Sequence, residues 1–140
     1  MPNIVYGRVG DLAIMIAGPK PPLDMEWDRY VDFLEAMGTP GPSSRTLAIT
    51  AGGAPTNPQR ARLEKRIGAR RKGSKLAVVT SSTFARGVLN GWALVRPGYR
   101  AFAPEKLDEA LRFLDVSPQS AREVEALVRE LRALLGQVLA

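Results

Sequence analysis

Apolar positions set out a series of short elements along the chain. Ile4 and Tyr6 recur at a spacing of two, Gly10-Asp11 can turn the chain, and Leu12 to Ala17 is apolar without a break. That pattern predicts an opening β-hairpin. Pro19, Pro21 and Pro22 end its second strand. A helix is expected from about Asp24 to Met37, because Leu23, Trp27, Tyr30, Val31, Leu34 and Met37 recur at steps of three and four. Asp24, Glu26 and Asp28 place negative charge where it complements the helix dipole, and Gly38 with Pro40 stops the helix. Thr39 to Ser44 reads as a loop.

The next segments alternate strand and helix. Thr46 to Thr50 reads as a buried strand, and Ala51 to Thr56 as a loop. Asn57-Pro58 reads as an N-cap followed by a first-turn proline. The helix so begun is expected to run to about Lys72 and to end at Gly73. Leu76 to Thr80 is a third buried strand. Ser81, Ser82 or Thr83 caps a helix that carries Phe84, Val88, Leu89, Trp92 and Val95 inward, before Pro97-Gly98 ends it. Tyr99 to Ala103 is a last strand, and Pro104 opens a helix with Leu107, Ala110, Leu111 and Leu114 on one face. Strands and helices alternating at this spacing imply parallel pairing through right-handed crossovers. The fold class is α/β, with about five strands wrapped by helices.

Ser117-Pro118 starts a final amphipathic helix of about 22 residues, long for an ordinary globular helix. Ala121, Val124, Val128, Leu131, Leu135 and Val138 follow alternating steps of three and four, the seam of a coiled coil. Leu127 and Leu134 widen it to a stripe. Two readings stand open. The stripe packs back on residues 1–116, or Val124, Val128, Leu131, Leu135 and Val138 meet a partner or a second copy.

Composition removes several chemistries. The 140 residues contain neither cysteine nor histidine, so disulfides, thiolate catalysis and His-dependent triads are excluded. No metal site and no cofactor are expected. Walker A and dinucleotide patterns are absent, and Asp108 and Glu109 lie opposite an apolar helix face with no pocket. No catalytic activity is therefore expected. No run reaches the roughly 18 apolar residues of a membrane span, and no signal peptide opens the chain, which points to a cytoplasmic protein.

Charge is concentrated. The net charge is +6, and eight basic residues against one acid lie between Arg60 and Lys75. On an α-helix, Arg62, Lys65, Arg66, Arg70 and Lys72 share a face opposite Leu63 and Ile67. Such a face suits phosphates, anionic headgroups or an acidic partner, or is simply the solvated side of the helix. No aromatic residue interleaves it, so specific nucleic-acid recognition is not expected.

Leu76-Ala-Val-Val-Thr80, Ser81-Ser-Thr-Phe-Ala-Arg-Gly87 and Arg100-Ala-Phe-Ala-Pro-Glu-Lys-Leu-Asp-Glu-Ala-Leu111 resemble the bacterial STAS/SpoIIAA-like domains, including single-domain STAS/SEC14-like proteins. The likeness in element order runs from about Ile4 to Val116. It implies a small sheet wrapped by helices, and a regulatory domain that binds a protein partner without catalysis or cofactor. The acidic-serine-serine-glycine motif of the anti-anti-sigma factors has no equivalent in Ala51-Gly-Gly-Ala-Pro-Thr-Asn-Pro58. Thr56 is the only hydroxyl close to the place of the family's regulated serine. Phosphate there would meet a helix N-terminus and nearby Arg60; otherwise Thr56 is an unmodified turn residue. A second candidate is Ser81, Ser82 and Thr83 with Arg86, where a parallel strand ends and a helix begins. Open α/β sheets bind ligands at such ends, although helix capping alone also explains the hydroxyls. A small ligand or anionic lipid held between Thr80–Thr83 and the basic helix is the alternative function. Gly87 and Gly91, one turn apart, are read as close packing of their helix on the sheet.

Overall fold

A computed structural model describes residues 2–39, 41–92 and 98–136, apart from the side chains at 84, 88 and 92. Strands β1 (Ile4–Val9) and β2 (Leu12–Ala17) form the opening hairpin, whose turn is permitted by Gly10 at φ 56°. Helix α1 (Asp24–Met37) leads to β3 (Arg45–Thr50), and α2 (Asn57–Leu63) to β4 (Lys75–Thr80). Helix α3 (Thr83–Trp92) precedes β5 (Tyr99–Phe102), and α4 (Leu107–Phe113) and α5 (Pro118–Leu134) complete the order. The sheet runs β1-β2-β3-β4-β5, antiparallel within the hairpin and parallel from β2 onward. The α/β fold expected from the sequence is therefore the fold observed.

The strand order has a consequence for packing. Every crossover moves one strand in the same direction, and right-handed crossovers then place their helices on one face. On that face Trp27, Tyr30 and Val31 of α1 pack with Ile4, Met15, Ala17 and Ala48. Tyr6, Tyr30 and Phe33 add ring contacts at 5.0–6.4 Å, and burial raises the Tyr30 phenol to about 12. The opposite face presents Leu12, Ile14, Ile16, Leu47, Ile49, Ala77 and Val79, which the elements after β5 must cover. Ala110, Leu111 and Leu114 of α4, with Val124, Val128 and Leu131 of α5, do so.

This burial decides between the two readings of the final helix. Val124, Val128 and Leu131 are 0%, 3% and 5% exposed within their own chain, and Leu135 is partly buried against the same core. Val124, Val128 and Leu131 are core residues and offer no surface to a second copy or a partner. Val138 lies outside the described residues, as do Val95 and the side chains of Phe84, Val88 and Trp92. Leu127 closes over Gly7 of β1, while Leu134 is left 61% exposed.

Three further expectations are corrected. Gly87 and Gly91 are exposed on α3, and a Cβ at either would meet nothing within 4 Å among the described residues, so they do not mark close packing on the sheet. Leu23 precedes α1 as its N-cap and is 60% exposed, outside the buried stripe. The α2 helix does not continue regularly to Lys72: a π-helical turn at Glu64–Gly68 and a 3-10 turn at Ala69–Arg71 follow it. Those changes of helical period rotate the later side chains away from the common face that a straight helix would give. Gly73, at φ 85°, then ends the segment.

Candidate functional site

The ends of the parallel strands bring together the loops after β2 and β3. Thr50 Oγ1 donates to Gly53 O at 2.6 Å and accepts from Gly52 N–H at 3.0 Å. Ala51 N–H donates to Ala17 O, and Gly53 N–H to Gly18 O. Gly53 is required by this approach, because a Cβ there would overlap the carbonyl oxygens of Lys20 and Gly18. The two loops are thus fixed to each other as one rim.

The rim is fixed in turn to the first turns of α1 and α2. Gln59, only 2% exposed, is the joint. Its Nε2 donates to Pro22 O at 2.8 Å and to Asp24 Oδ1 at 3.0 Å, and its Oε1 accepts from Thr56 N–H at 2.9 Å. Trp27 Nε1 donates to the Gln59 carbonyl at 2.8 Å. Glu26 adds a second tie, accepting from Leu23 N–H and from Asn3 N–H. Gln59 was not among the residues the pattern marks out. A signal for it existed, since Thr56-Asn-Pro-Gln59 has capping-box spacing.

Thr56, expected just before the cap, is itself the N-cap of α2. Its Oγ1 accepts from Gln59 N–H at 3.3 Å, and the residue is exposed. The second hydroxyl cluster is also engaged locally. Thr80 Oγ1 accepts from Ser82 N–H, and Ser82 Oγ accepts from Ala85 N–H as a cap on α3. Arg86 turns back to donate to Thr80 O at 2.8 Å and to Thr83 Oγ1 at 3.4 Å. Ser81 is exposed. The geometry here is that of a capped helix start, with the guanidinium already holding the strand end.

Part of the basic segment is paired with acids of α1. Arg62 bridges Asp24 and Asp28 at 3.1 Å, and Arg66 bridges Asp32 and Glu35 at 2.7 and 2.9 Å. Arg62 and Arg66 therefore spend their charge on acids of α1, while Lys65, Arg70 and Lys72 are exposed. Hydrogen bonds to these acids hold both guanidiniums above their ordinary value. The Gln59 amide, and then Arg62, hold the Asp24 carboxyl below its ordinary value. Arg71 donates to Thr46 Oγ1, and Lys75 bridges to Asp115 at 2.8 Å, which lowers the Asp115 carboxyl.

Cavities are few. A space of about 30 Å³ among Ala13, Leu34, Arg45 and Ile67 has room for about one water. An open groove of about 960 Å³ runs past Leu63, Arg71, Lys72, Lys75 and Tyr99. Among the described residues, no group of three or more His, Cys, Asp or Glu side chains is arranged to hold a metal, and no helix is long and apolar enough to cross a membrane. No protein-family model matches the chain, and neither a curated protein nor a solved structure matches it.

Proposed function

We propose that the chain is a STAS-like regulatory domain, without catalysis of its own, that binds a protein partner through the rim of the 18–23 and 51–56 loops. The observation that carries this reading is a locked and largely uncharged surface. The loops are held by their own hydrogen bonds and by Gln59, so binding would not have to order them. Pro19, Pro21, Ala51 and Ala54 are exposed along the rim, and Leu23 and Met25, each 60% exposed, extend it at the start of α1. Apolar side chains left in water beside a rigid backbone suit a protein interface. Thr56 stands exposed at the same rim, where a phosphate would alter the charge of that interface. The alternative, a small ligand or anionic lipid using the Thr80–Thr83 strand end and the basic helix Arg60–Lys72, has less support, because Arg86 and the hydroxyls of Thr80 and Ser82 are already bonded within the chain and Arg62 and Arg66 pair with acids of α1.

The test is affinity capture from the host with the wild type and with Leu23→Asp/Met25→Asp, followed by reconstitution from purified components. A single protein that binds the wild type, rebinds when purified and is lost from the folded double variant supports the rim. Undiminished binding of that protein by the double variant overturns it.

A further inference from the structure

The two edges of the sheet are treated differently, and the difference points to a second interaction surface. Register fixes which backbone groups face outward. Gly18 N–H donates to Asn3 O, and Ile4 lies opposite Ala17, so Val5, Gly7 and Val9 make the hydrogen-bonded pairs with β2. The N–H and C=O groups of Ile4, Tyr6 and Arg8 therefore point away from the sheet. Among the described residues no strand or side chain takes them up. At the other edge the same alternation turns Ala101 N–H outward, and there Asn90 of α3 accepts it through Oδ1 at 2.9 Å.

Natural sheets blunt an exposed edge with proline, lysine, a bulge or a covering side chain. Within Ile4–Val9 strand β1 has no proline and a single charge, Arg8, near its end, and its pairing with β2 is unbroken by a bulge. Its sequence, Ile-Val-Tyr-Gly-Arg-Val, is rich in residues that favour strands. We propose that β1 pairs antiparallel with β1 of a second copy of this chain, extending the sheet continuously through a two-fold axis at Tyr6.

The choice of a second copy rests on self-complementarity. Centred on Tyr6, the register sets Ile4 against Arg8 of the second copy and Tyr6 against Tyr6, so every outward N–H and C=O from Ile4 to Arg8 gains a partner. Val5 faces Gly7, a large residue against a small one, and Arg8 never faces another Arg8. An axis shifted to Val5 would leave the Arg8 groups opposite Pro2, which has no N–H to give. The two-fold axis stands perpendicular to the sheet, so both copies of α5 lie on one face and both copies of α1 on the other. Leu134, the exposed leucine of α5, is then on a face the copies share. The rim at the strand ends is not used, and this proposal does not depend on it.

Sedimentation velocity of the full chain, with the variants Arg8→Pro and Tyr6→Cys, tests the pairing. The Arg8 N–H faces outward, so proline removes an intermolecular donor and leaves the β2 ladder intact. The expected result is a dimer for the wild type and a monomer with unchanged circular dichroism for Arg8→Pro. Tyr6→Cys supplies the one cysteine in the chain, on the two-fold axis. Opposed residues of a hydrogen-bonded pair have Cα atoms about 5.5 Å apart, within disulfide reach. Mild oxidation should link Tyr6→Cys into a covalent dimer and leave a Ser43→Cys control without a covalent link. A monomeric wild type, or a dimer that survives Arg8→Pro and does not cross-link at residue 6, overturns the proposal. So does a different protein found seated on β1.

Discussion

Replacing Gln59 by leucine removes an amide from a closed site and keeps nearly the same volume, so no cavity term enters. Two backbone groups lose their partners: Pro22 C=O, which is buried, and Thr56 N–H, which is partly buried. An unsatisfied buried group costs about 1–3 kcal/mol, and the partial exposure at Thr56 brings the pair to about 2–4 kcal/mol. That is a large share of the roughly 5–15 kcal/mol that holds a domain of this kind. Urea denaturation would show it as a midpoint lowered by about 1–2 M at constant slope. A second readout separates the hydrogen bonds from general packing. The Gln59 amide is the leading cause of the lowered Asp24 carboxyl, so Gln59→Leu should raise that pKa toward its ordinary 3.8, as followed by NMR titration. Thr56→Ala, which loses only the longer bond at 3.3 Å, should cost about 1 kcal/mol or less. A loss below about 1 kcal/mol for Gln59→Leu, with Asp24 unmoved, would refute the claim that its amide joins the rim to the helices.

Three other outcomes are expected. Leu131→Asp buries an unpaired charge and should cost about 3 kcal/mol or more in thermal or chemical unfolding, whereas Leu134→Asp should stay within about 0.5 kcal/mol; equal effects would contradict the placement of α5. Gly53→Ala drives a Cβ against the carbonyls of Lys20 and Gly18 and should destabilise by about 1–3 kcal/mol by calorimetry; a neutral substitution would mean the loops part readily. Acid should weaken the fold through Asp24 and Asp115. Both carboxyls lie below their ordinary 3.8 when folded, so their contribution is complete above about pH 5 and is lost as pH falls through 3.8 and then the folded values. Urea midpoints that hold constant or rise across that window would contradict the two assignments.

Much of the architecture could be read from residue order. The α1 boundaries, the strand positions and the parallel pairing follow from spacing, glycine and proline, because these act over a few residues. The cap of α2 lies one residue before the Asn57-Pro58 pair for a local reason. Asn57-Pro58 is a good cap pair, but Thr56 and Gln59 satisfy each other's backbone N–H groups, and the reciprocal bonds prevail. The candidate site was less legible. The Ser81–Thr83 cluster was visible as a string of hydroxyls, yet only folding could show Arg86 bonded to Thr80 O. Likewise, Arg62 and Arg66 looked like part of a free cationic face until α1 brought its acids against them.

The final helix draws the boundary most clearly. Its apolar stripe was determined by the sequence, as was the need to bury it; its partner was not. The unbroken apolar run Leu12 to Ala17, buried throughout, already required cover on both faces of the sheet. Which segment covers each face depends on strand order, and helical periodicity carries no information about that order. Once the strands lie in sequential order, the right-handed crossovers occupy one face, and α4 and α5 must cover the other. The same order places β1 at an edge, where its outward N–H and C=O groups have no partner among the described residues. Local pattern determined the elements of this protein, and the tertiary arrangement decided which of their faces remain available for binding.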